Sequence, residues 1–147
     1  MLNLTGVKIV RSIALAQRTT SAQVVAGAAI DITGVKEIKN FLSASAVAAG
    51  TVGIQDVQFA DDSSFSVNVS TFTSDDYLGK NNTNSSTTAI AQTVLSAAGS
   101  TSLVLKNLAL NAQKYFRVRT VASSGSPDAT FEVQTVLDYL NKPQVQA

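Results

Sequence analysis

The chain has 147 residues and carries 11 Lys and Arg against 10 Asp and Glu, so its net charge of +1 provides no strong field to attract nucleic acid or an anionic membrane. It contains no Cys, His or Trp, which removes disulfides, thiolate chemistry, imidazole bases and the common zinc and haem sites. A chain of this length can bury a sufficient core without such supports.

The N-terminal segment, residues 1–28, is expected to form a first strand or an arm that lies on a neighbouring subunit. Its apolar residues Ile9 and Val10 are candidate partner contacts. Lys8 and Arg11 interrupt the apolar positions, so the segment lacks the continuous stretch of a secretory signal, and no run in the chain is long enough to span a membrane. We therefore expect a protein made and kept in the cytosol, or released by lysis, with no membrane partner.

A domain of antiparallel strands is expected over residues 29–143, followed by a short tail at 144–147. The segment 35–49 matches both helical and strand spacing, and we favour a strand. The strand interpretation places these residues on one face: Ile38, Asn40, Leu42, Ala44 and Ala46.

Two features are predicted in the middle of the chain. The apolar alternation slips by one residue at Gln55–Asp56, which indicates a β-bulge. The polar run Asp61–Ser64 indicates a hairpin turn leading from Gly53–Phe59 into a strand that begins at Phe65, because Phe65, Val67 and Val69 alternate with polar residues.

The polar stretch 73–88 is predicted to be an exposed loop, since it has few apolar side chains to bury. Long loops in compact domains are often functional, although a disordered excursion without a role is the alternative. The segment 89–98, which follows, matches either a short helix or a strand. The candidate partner contacts in the loop are Tyr77, Leu78, Asn81 and Asn82.

Two pairs of neighbouring aspartates, Asp61–Asp62 and Asp75–Asp76, are candidate ligands for a hard cation such as Ca²⁺. Neither pair has the spacing of an EF-hand loop. We interpret both pairs as solvated turn residues and expect no metal and no cofactor.

Residues 115–122 predict a strand with two different faces, because Phe116, Val118 and Thr120 alternate with polar and aromatic residues. Arg117 and Arg119 share the second face. They could clamp an anionic ligand or stack on bases. We favour a solvated or subunit-contact face on which their long stems cover apolar surface.

The run Ser123–Asp128 contains Gly and Pro and predicts a second hairpin, which leads into a last strand at Ala129–Tyr139. In that strand one face is apolar and large, while the other carries both carboxylates, as is typical of an antiparallel strand with one solvated side. About eight short strands separated by turns predict an all-β fold, an antiparallel β-sandwich or jelly-roll-like architecture with one possible short helix.

An enzyme is not expected. The chain has no G-x-S-x-G motif and no His for a nucleophilic triad. Its only glutamates, Glu37 and Glu132, fall in predicted strands, and its aspartates fall mostly in turns, which does not favour a pair of glycosidase carboxylates.

Several short segments occur in an order that resembles small tailed-bacteriophage virion proteins of the head decoration or minor capsid type. These segments are AIDITG at 29–34, AAGTVGIQD at 48–56, DDSSF at 61–65, KYFRVRTV at 114–121 and a closing strand before Lys142–Pro143. The Asn/Ser/Thr-rich residues 80–88 and the first 28 residues depart from that pattern.

This resemblance implies a non-enzymatic virion structural protein, assembled in the host cytoplasm, that decorates or cements the capsid by bridging neighbouring capsid subunits. The implied partners are the major capsid protein or other virion subunits, and a homo-oligomer, a trimer or dimer, is expected on such a lattice. The alternatives are a head–tail or tail component, or a carbohydrate- or cell-surface-binding β-sandwich. The absence of Trp disfavours the last, since sugar platforms usually rely on exposed aromatics.

Overall fold

The computed structural model describes residues 6–72, 94–105 and 112–139. Every regular element in these ranges is a β-strand and every pairing is antiparallel, which confirms the predicted all-β fold class. The strands are β1 (Val7–Arg18), β2 (Val24–Ala26), β3 (Ile30–Asp31), β4 (Val35–Ala60), β5 (Ser70–Phe72), β6 (Val94–Leu95), β7 (Gly99–Leu105) and β8 (Tyr115–Tyr139).

The two long strands β4 and β8 organise the fold. They have 26 and 25 residues and pair along their whole length, from Val35 opposite Tyr139 to Ala60 opposite Tyr115. Strands β1, β2 and β3 pair with the other edge of β8, while β7, β6 and β5 pair with the other edge of β4. One half of the β4–β8 ribbon therefore forms the first sheet, in the order β1-β8-β4-β7. The other half forms the second sheet, flanked by β2, β3, β5 and β6.

The ribbon turns a corner at Gly50. Ala49 lies opposite Asp128 and Thr51 opposite Ser123, so Gly50 alone faces four residues of β8, 124–127. Gly50 has a φ of +72°, and a Cβ there would lie 2.5 Å from the Ser123 carbonyl oxygen. Only glycine combines this backbone conformation with so close an approach. Bulges of this kind let strands pass from one packed sheet to the next.

The hairpin predicted at Ser123–Asp128 is therefore wrong. The residues before and after it belong to one strand, β8, and both halves pair with β4. Gly125, with a φ of +63°, supplies the expected break in the backbone. Because β4 runs opposite and bends at the same place, the break produces a corner and not a reversal of the chain.

The core lies between the inner faces of the two sheets. The alternation predicted for Ala129–Tyr139 is confirmed, since every second side chain from Ala129 to Leu137 is buried. The alternation predicted for residues 115–122 is also confirmed. The residues of both sheets form one contiguous cluster whose largest fully buried members are Phe59, Phe116, Phe131, Ile38, Leu42, Ile54, Leu105 and Leu137.

The structure confirms two further predictions in β4. Residues 35–49 form strand, with Ile38, Leu42 and Ala44 buried, although Ala46 lies beyond a register shift and is exposed. The β-bulge at Gln55–Asp56 is also present: Ile54 lies opposite Thr120 and Asp56 opposite Arg119, which leaves one extra residue in β4.

The prediction of a strand that begins at Phe65 is wrong, although the predicted hairpin is present. Residues 61–69 form an irregular turn, and β5 begins only at Ser70. The Asp62 carboxylate organises the turn: it accepts hydrogen bonds from the backbone N–H groups of Ser66 and Val67 at 2.9 and 2.8 Å, and from the hydroxyl of Ser64. These bonds, that from Ser64 above all, lower the pKa of Asp62 well below its usual range.

Hydrogen bonds cross the interior of the first sheet. The Ser12 hydroxyl donates to the carbonyl of Val133 at 3.1 Å, and the Thr135 hydroxyl lies 2.9 Å from both the Ser12 hydroxyl and the Asn40 amide oxygen. All three polar side chains are buried. A buried polar group that loses its partner costs about 1–3 kcal/mol, so this network specifies the register of β1, β8 and β4.

The N-terminal residues Val7–Arg18 form an ordinary strand, β1, paired with β8 of the same chain. The following segment joins the two sheets: the Gly27 N–H donates to Val118 in β8 and the Ala28 N–H donates to Ser12 in β1, both at 2.8 Å. In the ambiguous segment 89–98, Val94–Leu95 is strand β6, and residues 89–93 lie outside the described ranges.

Replacing Phe116 by alanine should destabilise the fold by about 3–5 kcal/mol, because the ring is fully buried between the sheets. The matched control is Phe41→Ala in β4. Phe41 is 40% exposed, so its replacement by alanine should destabilise the fold much less. Chemical denaturation of both variants measures the difference, and equal losses would contradict the assignment of inner and outer faces.

Gly50→Ala should cost more than about 2 kcal/mol, because it adds a clash with the Ser123 carbonyl to the strain of a left-handed backbone. Gly125→Ala is the matched control. Its φ is similarly positive but its Cβ would meet open space, so about 1 kcal/mol is expected. If the denaturation midpoints of the two variants fall equally, close packing against Gly50 does not limit which residue the corner accepts.

Candidate functional site

The best candidate for a functional surface is the solvent-facing side of the first sheet, here called the outer face. The cross-strand register defines its rows. One row runs Ile9, Val136, Lys39 and Val104 across β1, β8, β4 and β7. The adjacent row runs Arg11, Gln134, Phe41 and Ser102. Residues alternate between the two sides of a strand, so these side chains project away from the core.

Apolar side chains form a stripe across this face. Ile9 is 65% exposed and Phe41 is 40% exposed, while Val136 and Val104 are half-buried. Ile9 lies directly opposite Val136, and Phe41 is the diagonal neighbour of both Val136 and Val104, within the reach of such side chains. Val7, also exposed, extends the stripe at the end of β1.

The charged groups in and around the stripe are paired with one another. The Arg11 Nε lies 3.1 Å from a Glu132 carboxylate oxygen. The ammonium groups of Lys39 and Lys36 each lie 3.5 Å from a carboxylate, the first from Glu37 and the second from Asp138. Exposed pairs of this kind contribute little stability. Their effect here is that three basic and three acidic groups cancel, which leaves an apolar surface without net charge.

A neutral and partly apolar sheet face is suited to contact with another protein surface. Its ion-paired side chains are engaged with one another and do not form a cluster of free charged donors for a small ligand. Across the described ranges, no three acidic side chains approach closely enough to hold a metal ion. In the same part of the chain, no helix is long and apolar enough to cross a membrane.

Arg119, one of the predicted contact residues, is engaged inside the chain. Its guanidinium group donates two hydrogen bonds to the Asp56 carboxylate, at 2.7 and 2.6 Å. The Asp56 side chain is only 3% exposed. The hydrogen bond to Asp56 raises the pKa of Arg119. The β-bulge at Gln55 is what brings the carboxylate opposite Arg119 on the outer side of the second sheet.

Arg117 is held on the same side of the second sheet. Its Nε donates to the Gln58 side chain at 2.8 Å, and its guanidinium carbon lies 4.1 Å from the centre of the Phe65 ring. The Gln58 amide in turn donates to the Thr71 hydroxyl at 2.8 Å. Desolvation, and then the charge of Arg119, lower the pKa of Arg117. The two arginines thus fasten β8 to β4 and to the turn after it.

The other predicted contact residues are not brought together. Ile9 lies on the outer face, whereas Val10 points to the other side of β1 and packs against the core. Tyr77, Leu78, Asn81 and Asn82 lie outside the described residues.

Phe41 was not among the predicted contacts, although the sequence contains a signal for it. In a strand, side chains alternate between the two sides, and Phe41 falls on the side opposite to Ile38, Asn40 and Leu42. The strand interpretation of residues 35–49 therefore already places a large aromatic ring on the outer side.

Comparison with known proteins finds a similar fold but no matching family. No protein-family model matches the chain, and no curated protein matches it. Among solved structures, the PBSX exported protein XepA matches with a TM-score of 0.52 and 13% sequence identity, over 96% of this chain and 39% of XepA. The two share a fold, and this chain spans well under half the length of XepA.

A second solved structure comes from Bacillus endospore appendages, described as disulfide-linked pili. It matches with a TM-score of 0.39 and 12% identity, over 92% of this chain and 91% of that one. At this TM-score the likeness does not establish a shared fold.

Arg119→Met should destabilise the protein by about 3 kcal/mol or more, because it leaves the Asp56 carboxylate buried without its partner. Arg117→Met removes the same charge from the same side of the sheet but breaks only a hydrogen bond to a neutral amide and a ring contact, so about 1–2 kcal/mol is expected. Urea denaturation of both variants checks the order. A larger loss for Arg117→Met would show that the carboxylate tolerates losing its partner.

Proposed function

We propose that this chain is a non-enzymatic structural protein of a bacteriophage particle, which decorates or cements the capsid by laying its outer face on neighbouring capsid subunits. The observation that carries the proposal is the exposed apolar stripe containing Ile9 and Phe41 on a face without net charge. The fold shared with XepA, an exported protein of the phage PBSX, supports it.

The face is suited to many weak contacts more than to one tight contact. Its apolar side chains are already partly covered by their neighbours, so each copy has only a modest area left to bury. Burial contributes roughly 25 cal/mol per Å² of apolar area, less the cost of losing free rotation and translation. A protein that bridges two lattice subunits makes the second contact at high effective concentration, which compensates for weak individual contacts.

The rest of the fold supports a mechanical role. The β4–β8 ribbon runs through both sheets. Hydrogen bonds fasten it to β1 in one sheet, and the Arg117–Phe65 ring contact fastens it to the turn before β5 in the other. Such a body keeps its shape when force is applied to one face, because separating the two long strands requires breaking backbone pairs in both sheets. Under this proposal the protein needs no cofactor, and it is located in the virion.

Phe41→Glu should reduce binding to particles assembled without this chain by at least about tenfold, because it replaces an apolar ring in the centre of the stripe by an additional negative charge. The matched control is Val67→Glu, at a side chain that is 53% exposed but lies on the turn before β5. Co-sedimentation with the particles measures binding, and electron cryo-microscopy shows where the protein sits.

Equal binding of the two variants would contradict docking through the outer face. Wild-type protein distributed over the whole shell supports decoration. A single ring of copies at the portal or tail would overturn decoration in favour of a head–tail or tail component.

A further inference from the structure

The two edges of the first sheet are protected to different degrees. The β1 edge carries Lys8, Arg11 and Arg18, and its register with β8 shifts at two places. The Ala28 N–H also donates to the Ser12 carbonyl at 2.8 Å, which covers the middle of this edge. Charges, irregular register and covering segments are the usual means by which an edge strand avoids pairing with another chain.

In the described part of the chain, the β7 edge has none of these protections. Gly99–Leu105 contains no charge and no proline, and it pairs with residues 38–44 of β4 without a register shift. Among the described residues, β7 pairs with β4 alone, so the opposite backbone groups face outward. Leu103 and Leu105 are buried in the core and hold the strand in an extended conformation.

We propose that β7 pairs in antiparallel fashion with β7 of a second copy, so that the first sheets of the two copies form one continuous sheet across a two-fold axis. In such an interface each residue meets residues of the same strand. This arrangement is electrostatically permitted for β7, because the described stretch from Val94 to Leu105 contains no charged side chain. The β1 edge would bring its own basic residues together instead.

The outer face adds a second reason for a copy of the same chain as the partner. Phe41 and Val104 lie on β4 and β7, close to the proposed axis, so pairing would join the apolar stripes of two copies into one surface. The ion pairs of each copy are complete within that copy, so the joined surface brings no unpaired charge to the axis. This inference concerns the edge of the sheet and does not depend on what the outer face binds.

The first experiment measures the oligomeric state of the full chain by sedimentation equilibrium over a range of concentrations. Wild-type protein should be a dimer at high concentration. Ser102→Lys, which places a lysine on the β7 edge, should weaken dimerisation by at least about tenfold. Ser43→Lys is the matched control: it adds the same charge to the same face on β4, one strand farther from the axis, and should dimerise like the wild type.

The second experiment uses the absence of cysteine, because a single introduced thiol can be spin-labelled without a background. Labels at Ser102→Cys should lie close together in the dimer, since the two β7 strands are one strand spacing, about 4.8 Å, apart. Labels at Leu15→Cys, on β1, should be much farther apart, since seven strand spacings, or about 34 Å measured along the joined sheet, separate the two β1 strands.

A protein that stays monomeric at every concentration overturns the proposal, as does a dimer whose β1 labels are the closer pair or whose affinity is unchanged by Ser102→Lys. The outcome is separate from that of the docking experiment. Loss of particle binding in Phe41→Glu with an intact dimer, or the reverse, shows which of the two proposals fails.

Discussion

The fold depends on a single constraint: β4 and β8 stay paired while both strands turn at Gly50. A sheet built on two strands of some 25 residues could not bury its apolar side if it remained flat. The missing side chain at Gly50 allows the Ser123 carbonyl and Pro127 to approach, and the three extra residues that β8 has at this point take up the longer outer path. The two halves then cover each other, and one ladder of hydrogen bonds serves both layers of the sandwich.

The sequence predicts the features that depend on the local alternation of apolar and polar residues. Period-two patterns place Phe116, Phe131 and Leu137 inside correctly, and the slip at Gln55–Asp56 locates the bulge. It could not predict what depends on a distant partner. Gly125 and Pro127 have the composition of a reversing turn, and only the matching bend at Gly50 in β4 makes them a corner.

The same reasoning separates the two candidate surfaces. Arg117 and Arg119 have the pattern of an exposed pair, but their partners Asp56 and Gln58 lie some sixty residues away in sequence and use both guanidinium groups within the chain. Conversely, Phe41 is of a residue type that is usually found in the core. It is exposed because its position in the alternation of β4 places its side chain on the outer face. The exposed apolar stripe that Phe41 forms with its neighbours is the more informative observation, because contact with another surface would remove this apolar area from water.

The charges of the protein follow a consistent arrangement. On the outer face of the first sheet they neutralise one another within a few ångströms, and on the second sheet they tie strands together. Neither arrangement produces a long-range field, which agrees with a net charge of +1. Under the two proposals, electrostatic steering therefore contributes little to finding a partner, and association would rely on shape, apolar area and backbone pairing at short range. Such contacts become effective when many copies are held at high local concentration, a condition that a repeating surface provides and a dilute solution does not.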